Sequence, residues 1–213
     1  MRHHDYQSTL FAPGLCDSEP GPKPGGLAGI ERRTLSRGAW VDLRRDWFAG
    51  ADEVFAALIN DVPWRSERRQ MYDRVLEVPR LVAMYGDGEV LPHPALTRAL
   101  EALSAHYLPE LGEPFVSAGC CFYRDGADSV AWHGDTIGRG ASADTMVAIV
   151  SFGDPRRLLL RPLGGGDSLA FTLGHGDLIV MGGSCQRTWE HAVPKTASAG
   201  PRISVQFRPF NVL

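Results

Sequence analysis

His133-Gly134-Asp135 places an imidazole and a carboxylate two residues apart. In an extended segment, residues i and i+2 project from the same face, so both side chains aim at one point. A second histidine far downstream, His191, completes a set of two histidines and one carboxylate. Three such ligands cap one face of an octahedral Fe(II) and leave the opposite positions open for a substrate and dioxygen. Spacing alone does not select this set, because short motifs recur by chance and His3-His4-Asp5 fits the same pattern. Surroundings separate the two. The second match lies in a Pro/Gly-rich stretch, whereas His133 is embedded in strand-like sequence.

A further constellation lies in Pro201-Arg202-Ile203-Ser204-Val205-Gln206-Phe207-Arg208. Read as a strand, it puts Ile203, Val205 and Phe207 on one face and Arg202, Ser204, Gln206 and Arg208 on the other. Two arginines on one strand face suit a dianionic ligand, since each guanidinium can grip a carboxylate through two hydrogen bonds. A solvated outer face fits the same alternation. The segment from Arg65 to Arg80 carries five arginines against Glu67, Asp73 and Glu77. It reads as a solvated face with the capacity to touch phosphates. Trp132 and Trp189 either wall a pocket or fill core. His175 reads as a turn residue, His93 as an exposed loop residue and His106 as part of a helix face.

These groups need a scaffold. Residues 1 to about 30 are tail-like, with Pro13-Gly14, Pro20-Gly21-Pro22 and Pro24-Gly25-Gly26 and no sustained periodicity. Within this tail, Gln7-Ser8-Thr9-Leu10-Phe11 is similar to the peptides that dock on bacterial sliding clamps. From residue 31 to residue 213 the chain reads as one domain. Ala39 to Phe48 has strand character, and Ala51 to Asp61 places Val54, Phe55, Leu58 and Ile59 on one helical stripe. A second helix follows Pro94, with Leu96, Leu100, Leu103 and Tyr107 at helical spacing. After Pro114 come short β-type runs: Phe115–Tyr123, Met146–Phe152, Arg157–Arg161, Ser168–Leu173, Asp177–Met181 and Arg202–Arg208. Many short strands without intervening helices predict a jelly roll, with the N-terminal helices buttressing one sheet.

Composition removes several classes. A length of 213 residues with 44% hydrophobic and 22% charged residues is that of a globular domain. A net charge of −3 argues against holding nucleic acid by bulk electrostatics. Cys16, Cys120, Cys121 and Cys185 form no CxxC pair, so a zinc–thiolate site is disfavoured and reduced thiols are expected. No apolar run is long enough to span a bilayer and no signal-like segment follows Met1, so a cytoplasmic, membrane-free protein is expected.

The chain resembles the AlkB family of Fe(II)/2-oxoglutarate dioxygenases, which reverse alkylation damage on nucleobases. The resemblance is carried by Val150-Ser151-Phe152-Gly153, by the run from Leu173 to Gly183, by Gln186 to Lys195 and by Arg202 to Arg208. Upstream, Val78-Pro79-Arg80 and Tyr85-Gly86-Asp87 resemble the nucleotide-lid region of the DNA-repair branch. It covers roughly residues 40 to 210. It implies an α+β, mainly β architecture: a double-stranded β-helix (jelly roll) core with an N-terminal α/β extension. It also implies that His133, Asp135 and His191 hold Fe(II), that Arg202 and Tyr123 hold 2-oxoglutarate, and that Arg208 lies near the metal-bound end. Arg80, Tyr85, Trp132 and Thr136 are then expected to contact substrate.

The implied activity is dioxygen-dependent oxidative demethylation of N1-methyladenine and N3-methylcytosine in DNA, with release of formaldehyde. An extruded base is needed for such chemistry, and a methyl lesion lowers the cost of extrusion. Two departures stand out. Many relatives carry Asn where this chain has Cys121, a weak hydrogen-bonder. Repair relatives also carry acidic residues just after the first metal ligands, whereas Thr136-Ile137 stand here, followed by a flexible, basic Gly138-Arg139-Gly140. These departures keep two alternatives in view: a 2-oxoglutarate oxygenase acting on RNA, protein or a small molecule, and a non-catalytic binder of damaged nucleic acid.

Overall fold

A computed structural model describes residues 21–71 and 74–212, with only the backbone for 67–71 and 74–78. The strands are β1 (Lys23–Pro24), β2 (Glu31–Thr34), β3 (Ala39–Arg44), β4 (Phe48–Ala49), β5 (Arg65–Met71), β6 (Arg74–Tyr85), β7 (Phe115–Tyr123) and β8 (Val130–His133). They continue as β9 (Val147–Gly153), β10 (Arg156–Pro162), β11 (Leu169–Leu173), β12 (Leu178–Gly183), β13 (Trp189–Val193) and β14 (Arg202–Pro209). Three α-helices are α1 (Ala51–Asp61), α2 (Pro94–Leu111) and the single turn α3 (Cys185–Thr188).

An eight-stranded sheet runs β2-β3-β12-β9-β14-β7-β6-β5 and faces a four-stranded sheet β11-β10-β13-β8. From β7 onward the chain passes between the two sheets and closes a double-stranded β-helix. The expected mainly β, α+β architecture is therefore the one observed. Alternation explains the layering. Ile203, Val205 and Phe207 of β14 pack with Val54, Leu58, Leu96, Leu103 and Tyr107 of the helices. On the opposite side, Val147 and Ile149 of β9 meet Leu158, Leu160, Phe171 and Trp189 of the smaller sheet.

Local chemistry sets the helices. Asp52 and Glu53 complement the positive end of α1, whose Val54 and Leu58 are buried. Pro94 starts α2, and the Ala95 amide donates to His93 Nδ1 at 3.2 Å. Gly112, at φ 80°, ends it with its amide on the Leu108 carbonyl. Beneath α2, buried Asp42 accepts from Arg32 Nε at 2.7 Å and from the Tyr107 hydroxyl at 2.9 Å.

Several sequence expectations change. Ala39 to Phe48 is two strands, because Asp46 takes φ 49° in the turn between β3 and β4. The arginine-bearing segment around residues 65–80 is a long hairpin completing the edge of the larger sheet. β5 reads RSERRQM, and polar side chains at nearly every position hide the period of 2. Residues 21–30 carry packed structure where tail was expected. Gly25 exchanges hydrogen bonds with Trp47, at 2.5 Å from its own amide and 2.8 Å from the indole, and Arg98 donates to the Pro22 carbonyl at 2.6 Å. The clamp-like Gln7 to Phe11 and the His3-His4-Asp5 match lie outside the described residues. Among the described residues no helix is long and apolar enough to cross a membrane.

Candidate metal centre

His133 closes β8 and pairs in register with His191 in the middle of β13, so adjacent strands put two imidazoles side by side. Their ring centroids are 4.2 Å apart. Asp135 follows past the end of β8, with Oδ1 3.9 Å from His133 Nε2. One ligand atom from each of the three residues falls within 4.8 Å of the others. His133 Nδ1 lies 2.9 Å from the Ala131 carbonyl, which fixes its ring and turns the other nitrogen toward the cluster. Asp135 accepts from Arg208 Nη2 at 3.2 Å and Nε at 3.3 Å.

Electrostatics suit ligation. Burial, with repulsion from His133, drives the His191 pKa down to about 4, so its imidazole is neutral at pH 7. Burial opposes ionisation of Asp135, yet Arg208 first, then His191 and His133, hold its carboxyl below the usual range. Two imidazole nitrogens and one carboxylate oxygen are the donor set for a divalent iron with open positions.

The cluster opens on a cavity of about 80 Å³ between the two sheets. β14 supplies one wall with Arg202, Ser204, Gln206 and Arg208, so the polar face faces the cavity and not solvent. Arg202 is 2% exposed and donates from Nε to Ser151 Oγ at 2.8 Å, while its Nη1 has no partner. Its guanidinium stands 5.1 Å from the Tyr123 ring, whose strand pairs with Arg202 in register. Burial pushes the Arg202 pKa down and the Tyr123 phenol up to about 12. An orphaned guanidinium nitrogen in a cavity beside a metal cluster fits the carboxylate of a cosubstrate.

The model of the 2OG-Fe(II) oxygenase superfamily matches residues 49–208. The chain is 35% identical over 204 residues to the alpha-ketoglutarate-dependent dioxygenase alkB homolog 3 of Bos taurus, covering 84% of this chain. The chain belongs to the AlkB family of 2OG-Fe(II) oxygenases. Identity to the alkB homolog 3 of Homo sapiens is 32% over 200 residues, again 84% of this chain. The chain spans just under two thirds, 66%, of both relatives. It is also 28% identical over 180 residues to the DNA oxidative demethylase ALKBH2 of Homo sapiens, covering 75% of this chain and 69% of the relative. Among solved structures, that of OsALKBH1 superposes with a TM-score of 0.59 at 13% identity, covering 84% of this chain and all of that one. A Trichoplax adhaerens prolyl hydroxylase bound to a hypoxia inducible factor peptide gives 0.57 at 12% identity, over 79% and 83% of the two chains. At those identities the superpositions speak for the fold alone.

The structure brings His133, Asp135, His191, Tyr123, Arg202 and Arg208 of this AlkB-family chain to one place, and Arg80 with them. The other three expected substrate contacts differ. Tyr85 shares the face of β6 that packs on the helices, because alternation turns it away from the cavity. Trp132 occupies the face of its sheet opposite His133 and stacks under Arg161, 4.1 Å from the ring centroid. Thr136 is exposed on the loop after Asp135. That loop is anchored: Gly138 bridges to Val212, the Arg139 amide donates to the Asn211 carbonyl at 2.8 Å, and Arg139 pairs with Glu113. Gly138 there takes φ 74°, with the Asn211 carbonyl where a side chain would stand.

Sequence reasoning missed Ser151, the Arg202 partner. A lone hydroxyl in the apolar run Val147–Phe152 was its signal. It also missed Arg156, which is buried and donates to the carbonyls of Asp125, Asp128 and Pro194 at 2.7–3.0 Å. Nothing in the local pattern marked it. His175 sits in the expected turn and accepts from the Gly153 amide at 2.8 Å.

Proposed function

We propose that this protein is an Fe(II)- and 2-oxoglutarate-dependent demethylase of N-alkylated nucleobases, N1-methyladenine and N3-methylcytosine in DNA. The observation that carries the reading is one cavity lined by the two histidines of a three-ligand cluster and by a buried guanidinium with an orphaned nitrogen. Relatives named as DNA oxidative demethylase support the substrate class. His133, Asp135 and His191 would hold the iron, and Arg202 with Tyr123 would hold 2-oxoglutarate. Bound there, iron and cosubstrate supply dioxygen-dependent hydroxylation of an N-methyl carbon, with succinate and carbon dioxide from the cosubstrate and formaldehyde from the collapsing adduct.

The chain's own residues do the rest. Arg208 orients Asp135 and keeps it ionised. The depressed pKa of His191 keeps its lone pair available at neutral pH. Val130, Ile149, Leu158, Leu173 and Val193 make the remaining walls apolar, which limits water and strengthens the charge contacts inside. A second reading draws on the exposed Thr136 and Ile137. Ile137 cannot accept a hydrogen bond from an exocyclic amine and the Thr136 hydroxyl is a weaker acceptor than a carboxylate, which favours an RNA, protein or small-molecule target for the same chemistry.

The test is mass spectrometry of an N3-methylcytosine oligonucleotide incubated with protein, Fe(II), ascorbate and 2-oxoglutarate, beside His133→Ala. Loss of the methyl group with wild type alone is expected. An unchanged oligonucleotide with succinate still formed would transfer the activity to another target.

A further inference from the structure

The described cysteines differ sharply in their surroundings. Cys120 packs in the core beneath the helices and Cys185 is buried in α3, and burial pushes both thiols' pKa up. Alternation along β7 turns Cys121 to the other face, where it is half-buried and lines the cavity. The Arg80 Nε donates to its Sγ at 3.4 Å, and the thiol reaches Gln206 Oε1 at 3.8 Å. Arg202 and Arg208 line the same cavity, and among the described lining residues there is no carboxylate. A partly accessible sulfur among cations is the setting in which cysteines act as nucleophiles, whereas thiols in apolar packing are inert.

Register places this sulfur on the path of a ligand. Where β7 and β14 pair, Tyr123 stands opposite Arg202, Cys121 opposite Ser204 and Ser117 opposite Arg208. Cys121 is thus one rung of about 7 Å from Arg202. It lies on the way to Arg208, which holds Asp135. Arg202 is 2% exposed with an unpartnered Nη1, a donor that calls for an anion in this cavity. Burial pushes its pKa down, and Tyr123 and Cys121 both oppose the fall, so guanidinium and sulfur lie within electrical reach. A short dicarboxylate with one end on Arg202 and the other toward the metal cluster passes the sulfur with its middle carbons.

We propose that Cys121 is a covalent modification site for an unsaturated four-carbon dicarboxylate, which Arg202 seats and the thiol traps. The inference rests on the reading above in which Arg202 binds a dicarboxylate cosubstrate. The sulfur gives an electron pair to one alkene carbon, the carbon–carbon π bond breaks, and the neighbouring carbon takes up a proton in place of the one the thiol lost. The sum is addition of S–H across the double bond, with no leaving group and no oxidant. The thioether keeps the cosubstrate's seat filled and closes the site to 2-oxoglutarate. Succinate, saturated and of the same length, offers no carbon to attack and occupies the seat reversibly.

The experiment exposes Mn(II)-loaded protein to fumarate and maps the adduct on each cysteine by peptide mass spectrometry; Mn(II) replaces Fe(II) so that no turnover occurs. Adduct is expected on Cys121 and not on Cys120 or Cys185, and excess succinate should slow its formation. Calorimetric titration of 2-oxoglutarate, after fumarate is dialysed away, should show binding lost in proportion to the adduct. For Cys121→Ser the titrations before and after exposure should agree. Arg202→Met should slow the fumarate reaction roughly 10- to 100-fold, the worth of one buried contact to a charged group. Its reaction with acrylamide, a small neutral electrophile, should keep the wild-type rate. An equal fall for acrylamide overturns Arg202 as the seat. Absence of adduct on Cys121, or adduct that forms as fast with succinate present, overturns the proposal, and these wild-type results decide it even where a variant does not fold. Unexposed wild type that binds no 2-oxoglutarate overturns the cosubstrate reading itself, a failure that the first titration tells apart.

Discussion

Arg202→Met is expected to make the metal-free protein more stable while removing cosubstrate binding. Arg202 is buried, its Nη1 has no partner, and Ser151 accepts from its Nε. An unsatisfied buried donor costs about 1–3 kcal/mol, and a charge taken from water without a counter-charge adds to that. Methionine has similar length, fills the space and carries no charge. It leaves the Ser151 hydroxyl without its donor, a loss of about 1 kcal/mol. The difference is a net gain of about 1–2 kcal/mol. For a chain of this size each kcal/mol moves Tm by about 2–4 °C, so a rise of about 2–8 °C is expected. Thermal unfolding followed by circular dichroism, with and without millimolar 2-oxoglutarate and Mn(II), gives both halves of the answer. Wild type should gain stability from the cosubstrate and the variant should gain none. A variant that melts below wild type, or that is still stabilised by 2-oxoglutarate, would refute the reasoning.

Three further outcomes are expected. His191→Ala should weaken Mn(II) binding at least roughly 100-fold and abolish succinate formation, because one of three protein ligands is lost; equilibrium dialysis that finds full metal occupancy would remove His191 from the site. Arg32→Ala should destabilise the fold by about 2–3 kcal/mol in urea melts, since it leaves the carboxylate of buried Asp42 with the Tyr107 hydroxyl as its remaining side-chain partner; a change within about 0.5 kcal/mol contradicts the pairing. Asp128 is held below the usual carboxylate range by its hydrogen bonds with Arg124. A depressed folded pKa gives stability that is present above the unfolded value near 4 and lost as pH falls through the folded value. The stability gap between wild type and Asp128→Asn should therefore be wide at pH 7 and shrink below about pH 4, and a gap independent of pH would disprove the linkage.

What the sequence made legible follows the physics of each element. β7 and β14 were found almost residue for residue, because Pro114 and Pro201 stand just before them and β14 alternates apolar and polar residues. α1 was found whole for the same reason at helical period. β2 and β5 escaped, since the edge-strand sequences ERRT and RSERRQM carry polar residues at nearly every position and lose the apolar–polar alternation. β8 and β13 hold the two histidines of the candidate metal cluster, yet at 4 and 5 residues they are too short for periodicity to speak. His133, Asp135 and His191 were legible from residue type and from the resemblance. Direction was not legible: which way Tyr85 and Trp132 point depends on register across neighbouring strands, and one residue of slip exchanges the faces.

The order in which the strands arrive has a consequence for how the protein is made. β13 inserts between β10 and β8, and β14 inserts between β9 and β7. Both sheets are thus completed at their centres by β13 and β14, which follow all their neighbours in chain order. A nascent chain that ends near residue 188 presents four unpaired inner edges, and such edges recruit other chains. Folding must wait for these long-range pairings, which makes it slow for a protein of this length. The histidine that completes the candidate metal cluster arrives with that later segment, so a growing chain that carries only His133 and Asp135 lacks the full set of candidate ligands before the sandwich closes.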